Sequence, residues 1–172
     1  HVGRERTPEE FAAIGLPVPP ATEVTEEAIG GFNDARVREI GVPGGGATAT
    51  AADLALFYQA LLAGGAGVWQ PETIAEARRI RNPDFVDPVL GRPANRGLGV
   101  VVAGGPEKVL LGFGRDCSPG AFGHLGVGGQ IGWGDPATGL SLGFCTNGVE
   151  RDPWVLGRRT AAIANRAAAC AL

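Results

Sequence analysis

The sequence predicts an α+β fold, an antiparallel sheet with flanking helices. Three observations carry this expectation. Helix-patterned stretches come first, strand-patterned stretches follow one another from residue 97, and a helix-patterned stretch closes the chain. The strands are joined by connections too short for a crossover helix, so they pair antiparallel, and a doubly wound α/β arrangement is excluded. With 172 residues, 44% of them hydrophobic and 19% charged, the chain can build one domain with a core of ordinary size.

The chain divides into an irregular lead-in segment (1–47), a helical segment (48–81) and an antiparallel sheet plus C-terminal helix (97–172), all parts of one domain. In the lead-in, Thr7-Pro-Glu-Glu10 has the form of a helix start, with Thr7 as cap, Pro8 in the first position and Glu10 placed to close a capping box. Gly15 to Pro20, with three prolines, should stop that helix early. Thr25 to Ile29 can make one more turn. Gly41-Val-Pro-Gly-Gly-Gly46 forbids regular structure.

The clearest helix follows. Thr48 or Thr50 caps it, and Asp53 lies in the first turn, where the helix dipole favours a negative charge. Leu54, Phe57 and Leu61, with Tyr58 and Leu62, recur at helical spacing, and Gly64-Gly65 ends the run. A second helix is expected from Pro71 to about Arg81, with Ile74, Ala77 and Ile80 or Arg81 along one face and Arg78, Arg79 and Arg81 most simply its solvated side. Residues 82–96 form a Pro-rich loop. Gly97 to Ala103 reads as a buried strand, Gly104 to Glu107 as a turn and Val109 to Phe113 as the returning strand. From Phe122 the chain reads as a strand, a tight connection and a second strand, then a turn at Asp135–Gly139 and a third strand. The last helix takes Asp152 as cap and Pro153 as first residue, with Leu156, Thr160, Ile163, Ala167 and Cys170 on one stripe laid against the sheet.

Composition removes several function classes. The net charge of −3, with scattered Lys and Arg, argues against nucleic acid and anionic membranes. No apolar run approaches the ~18 residues of a membrane span, and no signal-peptide pattern opens the chain. Cys117, Cys145 and Cys170 are too few and too widely spaced for a disulfide scaffold. Methionine is absent and the first residue is His1, so a piece of a larger protein is expected. Glycine is abundant, 29 residues set inside apolar runs, which implies tight turns and close backbone approaches.

Three motifs invite functional readings that fail. Gly139-Leu-Ser141-Leu-Gly143 matches the nucleophile elbow of α/β-hydrolases, but Ser141 falls within a strand and no histidine follows it. Gly44-Gly-Gly46 precedes a helix without the Gly-Lys-Ser/Thr of a phosphate loop. His124, the only interior histidine, has no second ligand at metal spacing. No metal and no cofactor is expected.

What remains is the stretch Phe122-Gly-His-Leu-Gly-Val-Gly-Gly-Gln-Ile-Gly-Trp-Gly-Asp135-Pro136, continuing through Leu140-Ser-Leu-Gly-Phe-Cys-Thr-Asn147. It resembles the third active-site motif and following hairpin of the serine β-lactamase-like family, which takes in class C β-lactamases, D,D-peptidases and related carboxylesterases. Gly41 to Gly65 is similar to the family's Pro-Gly-Gly-Gly loop and succeeding helix, and Gly97-Leu-Gly99 to a weaker marker. The resemblance implies the C-terminal portion of a β-lactamase/transpeptidase-like fold, with His124-Leu125-Gly126 as a His-x-Gly variant of the motif.

The roles it implies are specific. His124 donates a hydrogen bond to the substrate or the catalytic hydroxyl network. Gly126 lets the substrate lie close to the strand. Val127 supplies one backbone N–H of an oxyanion hole, a preorganised donor whose loss costs ~3 kcal/mol of barrier. The family's Ser-x-x-Lys nucleophile and Tyr-x-Asn motifs are not among these residues: neither Ser118 nor Ser141 has a lysine three residues on, and Tyr58 is followed by Gln59-Ala60. The expected function is therefore part of a serine hydrolase, inactive by itself. Histidine in place of a permanent cation weakens recognition of a substrate carboxylate, which favours a small ester or amide over a β-lactam or peptidoglycan peptide. The alternatives are a β-lactamase or D,D-peptidase (penicillin-binding) fragment and a non-catalytic binding module of the same fold. Expected partners are the substrate and the N-terminal part of the same protein, or self-association into a homo-oligomer through an exposed sheet edge.

Overall fold

A computed structural model describes residues 3–18, 25–88 and 91–171. Pro19 and Pro20, expected to help stop the first helix, and residues 89–90 of the Pro-rich loop lie outside the described residues. The helices are α1 (Pro8–Ala13), α2 (Glu26–Gly31), α3 (Ala35–Ile40), α4 (Ala51–Leu62), α5 (Pro71–Ala77) and α6 (Pro153–Ala168). A small ladder joins β1 (Val86–Asp87) to β2 (Arg92–Pro93). The main sheet is antiparallel, in the order β3 (Val101–Val102), β4 (Phe122–Leu125), β5 (Ile131–Asp135), β6 (Leu140–Phe144). The α+β expectation holds.

The expected capping box of α1 forms, and α4 has one as well. Thr7 and Glu10 exchange bonds at the start of α1, and Thr50 is the cap of α4, with Asp53 accepting from the Thr50 N–H at 2.9 Å. Asp152 caps α6 by accepting from Trp154 and Val155, and also binds Arg6. With Gly3 N–H on Val149 O at 2.7 Å, this ties the lead-in to the head of α6.

The register assigns the two faces of the sheet, since side chains alternate along a strand. Gly132 pairs with His124, Gly134 with Phe122, and Gly132 with Gly143. These residues face α4: a Cβ on Gly132 would meet Tyr58 and Leu54, one on Gly134 would meet Leu62, and one on Gly143 would strike the Ala51 carbonyl. The helix can come this close only because the sheet offers glycine. The opposite face carries Ile131 and Trp133, packed with Val101, Phe113, Cys117, Ala121 and Ala168, which makes it the larger core.

Several elements depart from expectation. Residues 35–40 form α3, started by Asp34 accepting from the Arg36 N–H. The returning strand at Val109–Phe113 is instead a 3-10 helix over Pro106–Leu111, closed by Gly112 at φ 91°. Pro106 presets helical φ at its start, and the edge of β3 that this strand would occupy is taken by β4. The Gly97–Ala103 strand shrinks to Val101–Val102, because Gly97 N–H bonds Val100 O and Gly99 turns at φ 74°.

Helix α5 ends at Ala77, whose carbonyl is claimed by the Leu98 N–H at 2.9 Å. The arginines beyond are not one solvated row. Arg79 and Arg81 both bind Glu76, but Arg78 turns inward, its guanidinium 4.5 Å from the centre of the Phe122 ring. Burial holds the Arg78 pKa below the ordinary arginine value. On α6 the buried stripe is Thr160, Ala164 and Ala168, with Leu156, Ile163 and Ala167 beside it. Cys170 lies beyond the helix and is exposed.

Candidate active site

The hairpin between β4 and β5 gathers the residues that the sequence singled out. His124 is the last α4-facing residue of β4, and it is exposed. Its Nδ1 lies 2.7 Å from the Leu125 carbonyl oxygen, which can only accept, so Nδ1 carries the proton and donates. The other nitrogen, Nε2, lies 3.1 Å from Arg96 Nη1 and accepts from it. The donor role expected of His124 thus requires Nε2 to part from Arg96.

Arg96 is the residue that sequence reasoning missed. It immediately precedes Gly97-Leu-Gly99, whose turn folds it back to bridge Val101, the neighbour of Gly123 on β4. The backbone of Arg96 is held on both sides, its N–H donating to Asn82 at 2.9 Å and its carbonyl accepting from Arg81 N–H at 2.8 Å. The Asp87 carboxylate lies 3.8 Å from the guanidinium. Contrary to expectation, the site therefore does hold a permanent positive charge. The charge comes from a neighbouring turn and not from the motif position. Its only signal in the sequence was its position beside the Gly97-Leu-Gly99 marker.

Gly126 starts the connecting turn, its N–H bonded to Gln130 O at 2.8 Å, and its missing side chain would point at Gln130 Cβ. Gly129 N–H returns to Gly126 O at 3.1 Å. Val127 stands at the tip, 59% exposed, and its N–H takes no part in these turn bonds. Gly128 and Gly129 follow at φ 82° and 102°, backbone that favours glycine, and both are buried. Arg159 of α6 donates to the Gly128 carbonyl at 2.7 Å.

Neither serine of the chain is poised as a nucleophile. The Ser141 hydroxyl donates to Gln59 of α4 at 3.2 Å, and the Ser118 hydroxyl donates to the buried Asp135 carboxylate at 2.5 Å. Lys108, the only lysine, donates to the Cys117 carbonyl. Beside the hairpin, an open groove of about 840 Å³ runs between α4, α5 and the 98–100 turn, walled by Phe57, Tyr58, Trp69, Ile74, Val100 and Phe122. Phe122 and His124 share a face two residues apart, about 7 Å along the strand.

A model of the family described as Beta-lactamase matches residues 3–166. The chain belongs to the beta-lactamase family. A search of curated proteins gives no match. Membership carries a serine-hydrolase-type fold and points to hydrolase activity. The beta-lactamase domain seen here holds no group of three His, Cys, Asp or Glu side chains able to bind a metal ion among its described residues. Nor is any helix among them long and apolar enough to cross a membrane.

Proposed function

We propose that this chain forms one wall of the active site of a serine hydrolase that works through an acyl-enzyme. The observation that carries the reading is the turn end of the β4–β5 hairpin. There His124, backed by Arg96, and the uncommitted N–H of Val127 stand on one short piece of backbone. The nucleophile and its base come from a Ser-x-x-Lys segment outside these 172 residues, since both serines present are bound elsewhere.

In the reaction, the serine oxygen attacks the carbonyl carbon and its proton passes to the base. Negative charge gathers on the carbonyl oxygen, where the Val127 N–H receives it without reorganising. The base then returns the proton to the leaving oxygen or nitrogen, and water releases the acyl group by the same steps. Arg96 and His124 hold the substrate beside the strand at Gly126. The substrate class is a small ester or amide, because the motif position itself holds His124 and the Arg96 charge beside it is shared with the Asp87 carboxylate 3.8 Å away.

One observation favours a second reading. Arg96 restores a permanent cation beside His124, which suits a substrate carrying a carboxylate, as a β-lactam or a D-peptide does. The complete protein, carrying Ser-x-x-Lys, decides between them when assayed on p-nitrophenyl esters and on nitrocefin. Ester turnover that falls at least tenfold in His124→Ala supports the first reading. Nitrocefin turnover without ester turnover establishes the second. No turnover of either substrate by a folded protein removes the hydrolase reading.

The same reading assigns a cover to the sheet edge. Strand β6 pairs only with β5 among the described strands, so its outer backbone groups are free to pair. The complementary segment would occupy that edge. A chain that sediments as a single well-folded monomer speaks against it.

A further inference from the structure

We infer that Arg159 is a positioning residue of the proposed site, fixing the turn that aims the Val127 N–H at the substrate oxygen. The inference rests on the reading of Val127 as an oxyanion donor.

Two consecutive glycines at positive φ give residues 126–130 little conformational preference of their own, and the turn has only two internal backbone bonds. A donor that must wait in place for a developing charge needs a stiffer mount than that. The mount comes from the C-terminal side of the fold. Gly128 lies against Val149, where a Cβ would be 2.9 Å from the Val149 Cα. Gly129 lies against α6, where a Cβ would be 2.7 Å from the Leu156 side chain and 2.6 Å from Arg159 Nη2. These two contacts set a distance of approach, but apolar contacts do not fix the peptide's orientation.

Arg159 supplies the orientation. Its Nη2 donates to the Gly128 carbonyl at 2.7 Å, a short charge-assisted bond. The Gly128 carbonyl lies one peptide beyond the one that links Val127 to Gly128, so pinning it limits rotation on the C-terminal side of Val127. The Gly126 N–H bond to Gln130 holds the other side. Arg159 Nε is buried and has no hydrogen-bond partner among the described residues, so it does not draw the guanidinium away from this carbonyl. Helix α6 is itself fixed, capped by Asp152 and packed through Thr160, Ala164 and Ala168. The chain of restraint runs from α6 through Arg159 to Gly128 and then to Val127.

The test uses the complete protein with its Ser-x-x-Lys segment and p-nitrophenyl ester or nitrocefin, whichever it turns over. Arg159→Met keeps the stem and removes the donor. The expected result is kcat lowered about 100-fold, as for a reacting group misplaced by ~1 Å, with KM within threefold. Arg158→Met, an exposed neighbour on the same helix, should change neither. In Arg159→Ala, added ethylguanidinium should recover part of kcat, which a purely structural loss would not show.

An active parent whose Arg159→Met keeps kcat within twofold overturns the inference alone. A kcat loss that follows a lowered melting temperature and is not rescued by ethylguanidinium also overturns it, reducing Arg159 to a packing residue. A folded parent without hydrolase activity overturns the reading of Val127, and this inference with it.

Discussion

The closest contact between sheet and helix gives the sharpest prediction. A Cβ at Gly143 would lie 2.1 Å from the Ala51 carbonyl oxygen and 2.7 Å from the Ala55 nitrogen. Both are backbone atoms in the first turns of α4, so neither can rotate aside. Ordinary contact begins at 3.4 Å, so Gly143→Ala demands a retreat of 3.4 − 2.1 = 1.3 Å along that contact. A gap of ~1 Å already forfeits up to about half of each atom pair's attraction, and α4 would lose it along much of β5 and β6.

Overpacking costs about 1–3 kcal/mol, and a backbone-on-backbone clash belongs at about 3 kcal/mol. For a chain of this size that lowers the melting temperature by about 6–12 °C. Gly132→Ala is the matched comparison. Its clash, 2.5 Å, is with the Tyr58 ring, a side chain able to shift, so about 1–2 kcal/mol is expected. Thermal unfolding followed by circular dichroism reads both. A Gly143→Ala protein melting within ~2 °C of the parent, or above Gly132→Ala, would refute the packing argument.

Three further predictions concern single groups. Asp135, 1% exposed, accepts from the Ser118 N–H, the Ser118 hydroxyl and the Ala137 N–H, so Asp135→Asn turns an amide donor against donors and should cost about 2–3 kcal/mol in chemical denaturation. Burial pushes the Cys117 thiol up to about 11, whereas Cys145 and Cys170 are exposed. A disulfide reagent at pH 8 should therefore label two thiols in the native chain and the third only after denaturation. The Arg4 guanidinium, with the Thr7 N–H, holds the Glu10 carboxyl at about 2, so its contribution is present at neutral pH and fades as pH falls from about 4.5 toward 2. Proton titration by NMR should give that low midpoint, and Arg4→Ala should raise it.

The local chemistry of the chain was legible where one residue type dictates one geometry. Thr50 with Asp53, Asp152 with Pro153, and the Asp135–Gly139 turn each announce their structure through side chains that bond their own backbone. The hairpin carrying His124 was legible through its glycines, which allow the tight turn, and through its resemblance to the family's third motif. Tertiary competition was not. Nothing local says that Leu98 will take the Ala77 carbonyl, and that one bond ends α5 and frees Arg78 to stack on Phe122. Val109-Leu-Leu111 has a strand's composition, yet β4 holds the pairing position beside β3. Arg96 was missed at the site because its approach to His124 spans 28 residues and depends on two turns, one of them made by Gly99.

The glycine content, odd as composition, follows from where the candidate site is built. The β4–β5 hairpin is gripped from both faces near its turn. From one face α4 presses Tyr58 and Leu54 onto Gly132, the partner of His124; from the other side α6 presses Leu156 and Arg159 onto Gly129. Within the sheet, Gly123 leaves room for the Gly132 carbonyl, which a Cβ there would approach to 2.1 Å. Any side chain at these positions would push a helix away or open the hairpin. The small residues therefore hold His124 and Val127 on a backbone fixed from both faces, while the tip remains exposed. A preorganised donor needs that combination, since rigidity without exposure admits no substrate and exposure without rigidity gives no fixed dipole.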